Sequence, residues 1–173
     1  MLTLLNLKGC KNLKSLPSKF EMKSLKILIL SDCSKVKRIP EFGKNMELVS
    51  EIYLDGTAIT ELPSTIEYLT CLASLKLMNC KNLISLPSTF FNIKSLKNLD
   101  LVGCSKLKFP DNLGTIENLE KFDVIGAAIT PMSSSKSELI NLLPLCTYKS
   151  LSFFLIQVLL VAALSFSISV HIY

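Results

Sequence analysis

One pattern constrains this chain more than any other. It is L-x-x-L-x-L-x-x-C-x-x-L-x-x-L-P, and it recurs from the second residue to beyond residue 120. The first copy is Leu2, Leu5, Leu7, Cys10, Leu13, Leu16, Pro17; the second is Leu25, Leu28, Leu30, Cys33, Val36, Ile39, Pro40. The third, Val49, Ile52, Leu54, Thr57, Ile59, Leu62, Pro63, is shortened by one residue before Ile59. Leu72, Leu75, Leu77, Cys80, Leu83, Leu86, Pro87 form the fourth; Leu96, Leu99, Leu101, Cys104, Leu107, Phe109, Pro110 form the fifth, one residue short before Phe109. A sixth, Leu119, Phe122, Val124, Ala127, Ile129, dissolves after that point. Copies start at 2, 25, 49, 72, 96 and 119, a step of 23 or 24 residues that lies inside the leucine-rich repeat range.

The pattern dictates one turn of a coil per copy. In the L-x-L piece, alternation sends the leucines inward and the residues between them outward, as a short strand demands. Successive strands then stack in parallel, about 4.8 Å apart. Each Pro lacks an N–H and resists continuing a helix, so the return side is expected to be extended or made of short helical turns. Phe20, Ile66, Phe90 and Leu113 recur after the prolines and should close the core from the convex side. A single coil buries too few side chains to offset its ordering cost, and stacked coils bury enough. The expected fold class is an α/β leucine-rich repeat solenoid over residues 1–130, with parallel strands on the concave face.

Composition adds a setting. Nine basic residues against Glu21 and Asp32 give residues 1–40 a surplus of +7, and the rest of the chain stands at −2. A basic end could meet an acidic partner surface or anionic lipid, or be a solvated lysine face. No aromatics interleave with these lysines, so no nucleic-acid partner is expected. No secretory signal precedes the repeats, and no asparagine sits in an Asn-x-Ser/Thr sequon. Both observations favour a cytoplasmic setting.

Three segments carry a family resemblance: LKGCKNLKSLPS (7–18), LDGTAITELPSTIEYLTCL (54–72) and LMNCKNLISLPSTFFNIKSLKNLDLVGCSKL (77–107). With G-C-x-x-L copies alternating with a G-T-A-I copy, residues 2–130 resemble the repeats of plant intracellular immune receptors. These are the nucleotide-binding leucine-rich repeat proteins with a Toll/interleukin-receptor-like domain. The resemblance implies a recognition and regulatory module in the defence response. Its protein partner would be a pathogen effector, a guarded host protein or the receptor's other domains. No G-x-x-x-x-G-K-[ST] phosphate loop occurs, so the family's nucleotide switch is not expected from this chain. The chain reads as a fragment, a truncated product or a short relative; the alternatives are a membrane-anchored receptor-like repeat protein, which the missing signal and sequons count against, and a truncated non-signalling remnant.

The resemblance also implies that Cys10, Cys33, Cys80 and Cys104, with Thr57 on the vacant rung, pack inward where the chain leaves each strand. The family often has Asn there, and a small buried thiol substitutes for it. Neighbouring rungs, Cys10–Cys33 and Cys80–Cys104, would be close enough for disulfides, but a cytosolic setting argues against them. Metal ligation is not expected, and Cys71 and Cys146 lie off the ladder. His171 is the single histidine, which excludes a Ser-His-Asp set or a multi-histidine metal site within one chain. No cofactor, small-molecule substrate or enzymatic activity is expected.

Outward positions define columns. The first is Leu4, Ile27, Glu51, Ser74, Asn98, Lys121; the second Asn6, Ile29, Tyr53, Lys76, Asp100, Asp123; the third Lys8, Ser31, Asp55, Met78, Val102, Ile125. Ile27, Ile29 and Tyr53 form an apolar-aromatic patch suited to a protein contact or to burial under flanking structure. Lys76 and Asp100 are expected to pair. The candidate contact residues are Ile27, Ile29, Glu51, Tyr53, Lys76 and Asp100.

The end of the chain changes character. Residues 131–150 read as a Ser-rich joint, and residues 151–170, LSFFLIQVLLVAALSFSISV, carry no charge. Twenty helical residues span about 30 Å, the thickness of a hydrocarbon core. The expectation is a C-terminal apolar helix that anchors the chain in a membrane, with Lys149 on the cytoplasmic side. The alternatives are a helix folded onto the solenoid and sequence from an aberrant reading frame.

Overall fold

Each copy of the pattern yields one short strand. The computed structural model describes residues 1–108 and 118–127. The strands are β1 (Leu4–Asn6), β2 (Lys19–Phe20), β3 (Ile27–Ile29), β4 (Glu41–Phe42), β5 (Glu51–Tyr53), β6 (Ser74–Lys76), β7 (Asn98–Asp100) and β8 (Lys121–Asp123). Six of them form one parallel sheet in the order β1-β3-β5-β6-β7-β8. The central residue of each is apolar and points into the stack. Leu28, Ile52, Leu75, Leu99 and Phe122 are buried one above another, while their neighbours on each strand face outward.

Leaving the strand requires a left-handed residue. Gly9, Asp32, Gly56, Asn79, Gly103 and Gly126 occupy the same place in successive copies, with φ between 59° and 74°. Glycine adopts this conformation without cost, and Asn and Asp tolerate it better than other residues. At Gly103 an added Cβ would also meet the Asn79 side-chain amide, which would have to turn aside.

The next residue turns inward and its side chain bonds to the backbone. Cys33 Sγ donates to the Leu7 carbonyl at 3.0 Å, Cys80 Sγ to Leu54 at 3.1 Å and Cys104 Sγ to Leu77 at 3.1 Å. Each thiol thus caps a carbonyl of the preceding coil. Thr57 fills the same rung: its hydroxyl donates to the Leu54 carbonyl at 2.8 Å and lies 3.4 Å from Cys80 Sγ. These cysteines are free thiols. Cys10 departs from the expectation, being exposed. Coil 1 has a neighbour on one side only, which also leaves Leu2 52% exposed and Leu5, Leu7, Leu13 and Leu16 half-buried.

The return side takes two forms. In coils 1 and 2 it is extended, and β2 pairs with β4 in a two-stranded parallel sheet. In coils 3 and 4 it is a single 3-10 turn, Ser64–Tyr68 and Ser88–Asn92, each entered from a proline at φ near −65°. The described residues contain no α-helix, so the helical half of the expected α/β class is corrected: the fold is a parallel β-solenoid. Phe20, Ile66 and Phe90 close the core from this side as expected. Phe42, Met46, Leu69 and Ile93 join them, an additional buried set that the repeat pattern did not include.

Leu113, the Phe109–Pro110 pair, Ile129, the joint 131–150 and the apolar run 151–170 lie outside the described residues. Among the described residues no helix is long and apolar enough to cross a membrane.

Candidate functional site

The six-stranded sheet turns one face outward, and its register makes the columns physical. Leu4, Ile27, Glu51, Ser74, Asn98 and Lys121 are successive strand partners, as are Asn6, Ile29, Tyr53, Lys76, Asp100 and Asp123. The third column follows from backbone bonds past the strand ends: the N–H groups of Gly9, Asp32, Gly56, Asn79 and Gly103 donate to the carbonyls of Ser31, Asp55, Met78, Val102 and Ile125. All six candidate residues therefore share one face.

Ile27 and Ile29 are half-buried and Leu4 beside Ile27 is 45% exposed. Register sets Ile29 directly against Tyr53. The Tyr53 side chain is held from two sides. Its hydroxyl donates to Glu51 Oε2 at 2.5 Å, and Lys76 Nζ lies 5.6 Å from the ring centroid. The bond to Glu51, with partial burial, pushes the phenol above its ordinary range. A cation over an aromatic face contributes about 0.5–1 kcal/mol at an exposed site.

The expected Lys76–Asp100 pair is corrected by this geometry. The two are strand partners, yet the Lys76 ammonium turns to the Tyr53 ring and forms no ion pair with Asp100. Column adjacency sets backbone spacing, and the long lysine side chain then selects the aromatic neighbour over the half-buried carboxylate. Asp100 Oδ1 instead accepts the Val102 N–H at 3.1 Å. Burial, followed by the nearby Asp123 and Asp55 carboxylates, holds its pKa above the ordinary value against the opposing Val102 and Lys76 contributions.

Asp55 was not among the candidates, and it organises the middle of the face. Its Oδ1 accepts the Met78 N–H at 3.0 Å and its Oδ2 accepts the Ser31 hydroxyl at 3.1 Å, linking three consecutive coils. The sequence signal was available: Asp55 is the one carboxylate in the third column. Between coils 3 and 6 the face is hollowed into a groove of about 410 Å³ lined by Glu51, Tyr53, Lys76, Asn98, Asp100, Lys121 and Asp123. Both signs of charge line it beside one aromatic ring.

The family of RPS4B-like disease resistance protein leucine-rich repeats matches residues 20–145. TMV resistance protein N of Nicotiana glutinosa is 39% identical over 133 residues, 76% of this chain and 12% of that protein. Disease resistance protein RPS4B of Arabidopsis thaliana is 43% identical over 108 residues, 62% of this chain and 9% of its own length. Disease resistance-like protein DSC1 of the same plant is 38% identical over 146 residues, 82% of this chain and 12% of its own. The chain thus spans roughly a tenth of the length of the relatives it matches. With that match covering most of its length, this chain belongs to the leucine-rich repeat family of RPS4B-like plant disease resistance proteins.

Proposed function

We propose that the chain is a protein-recognition module of the plant defence response. It would engage its partner through the strand columns and have no catalytic activity of its own. The observation that carries this reading is the pre-set Tyr53 ring, fixed by Glu51 and Lys76 and standing against Ile29 on a hollowed face. A rigid aromatic with an apolar neighbour is the usual centre of a protein contact, because little rotamer freedom remains to be lost on binding. The partner is an effector, a guarded host protein or another domain of the receptor, as in the disease resistance relatives.

The test compares partners cross-linked in plant cells to the wild type, to an Ile29→Glu/Tyr53→Ala variant and to a Lys81→Glu control on the exposed flank. The reading expects a protein recovered with wild type and control and reduced at least tenfold with the double variant, at unchanged circular dichroism. An identical set from all three would overturn it.

We further propose that the module works at the cytoplasmic face of a membrane, tethered by residues 151–170. The free ladder thiols accord with a reducing compartment. The uncharged run is long enough to span a bilayer as a helix. Alkaline extraction of membranes should leave the chain in the pellet, and full release into the supernatant would remove the tether.

A further inference from the structure

The positive surplus of residues 1–40 has a structural focus that the strand columns do not use. Beyond the strand-exit turns of coils 1 and 2 runs a second groove, of about 420 Å³, flanked by Lys14, Lys37 and Arg38. Lys14 and Lys37 hold the same place in successive copies, with Arg38 alongside. All three side chains are exposed, and none takes part in an ion pair with a carboxylate among the described residues; the local salt bridge joins Lys19 to Glu21 instead, at 2.6 Å. Glu41 is the one acid that lines the groove, and its Oε2 accepts the Thr65 hydroxyl of coil 3 at 2.6 Å. Between the charges the floor is apolar: half-buried Leu16 and exposed Pro17 line it above buried Ile39 and Pro40.

We infer that this groove binds an acidic protein segment punctuated by apolar residues, at a site separate from the strand columns and independent of how they are used. Three stacked like charges repel one another, and an anionic occupant relieves that repulsion. Arg38 offers a planar fork that matches a carboxylate through two parallel hydrogen bonds. The floor decides between sources of negative charge. An inorganic anion gains nothing from Leu16 and Pro17, and a flat lipid surface does not enter a groove between coils. A peptide of alternating glutamate and leucine satisfies both the walls and the floor.

The measurement is fluorescence anisotropy of the purified full chain with a labelled peptide alternating Glu and Leu, against the same peptide with Gln for Glu. Phosphatidylserine vesicles serve as a third probe. The Glu peptide should bind, and should weaken at least tenfold between about 50 and 200 mM salt, as expected when several ionic contacts form. Lys37→Glu/Arg38→Glu should reduce affinity at least tenfold, and the milder Lys37→Gln/Arg38→Gln several-fold. A control with the same charge change elsewhere, Lys81→Glu/Lys106→Glu, should stay within twofold. Equal loss in the control would reduce the effect to net charge and overturn the site. Equal binding of the Gln peptide, or vesicle binding that Lys37→Glu/Arg38→Glu weakens as much as it weakens the peptide's, would overturn the proposed partner.

Discussion

At the scale of single residues the thiol ladder carries the clearest consequence. Burial pushes the Cys80 thiol up to about 11 and Cys104 to about 12, and raises Cys33. The folded state therefore holds these thiols neutral while the unfolded chain ionises them near 9. Their contribution is full below that value and is lost as pH rises from about 9 toward 11 or 12. The urea midpoint should fall between about pH 8 and 10.5, and the fall should shrink in Cys104→Ala. At about pH 8, iodoacetamide should label exposed Cys10 and Cys71 and spare Cys33, Cys80 and Cys104. Labelling of all five at equal rates in the native state would contradict the ladder. The inward rung was legible from the family resemblance, the repeat step serving only to place the cysteines on it. The exposure of Cys10 was not, since the pattern describes a coil between two neighbours. The residue before each rung, reading Gly, Asp, Gly, Asn, Gly, Gly, was also legible as a left-handed position, and only the φ values drew attention to it.

At the scale of elements, the strands followed from alternation alone, and so did the columns on their outer face. The convex side was harder to read because it obeys no single offset. Phe20, Ile66 and Phe90 stand three residues after their prolines, whereas Phe42 stands two after Pro40. Strand pairing resolves the difference, setting Phe42 opposite Phe20 with ring centroids 6.4 Å apart. Phe42 is 1% exposed, so Phe42→Ala should cost about 3–5 kcal/mol, of the size found for large-to-small changes in packed cores. Urea unfolding measures this directly; a loss below about 1 kcal/mol would mean that the second sheet is not part of the cooperative core. The contact side chains divide along the same line. Register placed Ile27, Ile29, Glu51, Tyr53, Lys76 and Asp100 on one face, but the partner each long side chain chooses depends on rotamers that no repeat pattern encodes. Lys76 is the instance, resting on Tyr53 rather than on Asp100.

At the scale of the molecule, each coil touches chiefly the coils before and after it, so the solenoid is a one-dimensional stack whose binding face exists only if register is kept throughout. Recognition through the columns depends on that register, because Ile29, Tyr53, Lys76 and Asp100 come from four different copies of the pattern. The most direct measurement is the distance between spin labels at Asn6→Cys and Asp123→Cys, the two ends of the second column, in a chain with Cys10, Cys71 and Cys146 replaced by Ser. The two positions are 117 residues apart in sequence and five strand steps apart in the sheet. Parallel in-register strands predict one narrow distribution centred near about 24 Å, broadened by the label linkers. A distribution centred beyond about 40 Å, or several populations of comparable weight, would contradict the stacked face and the recognition surface built on it.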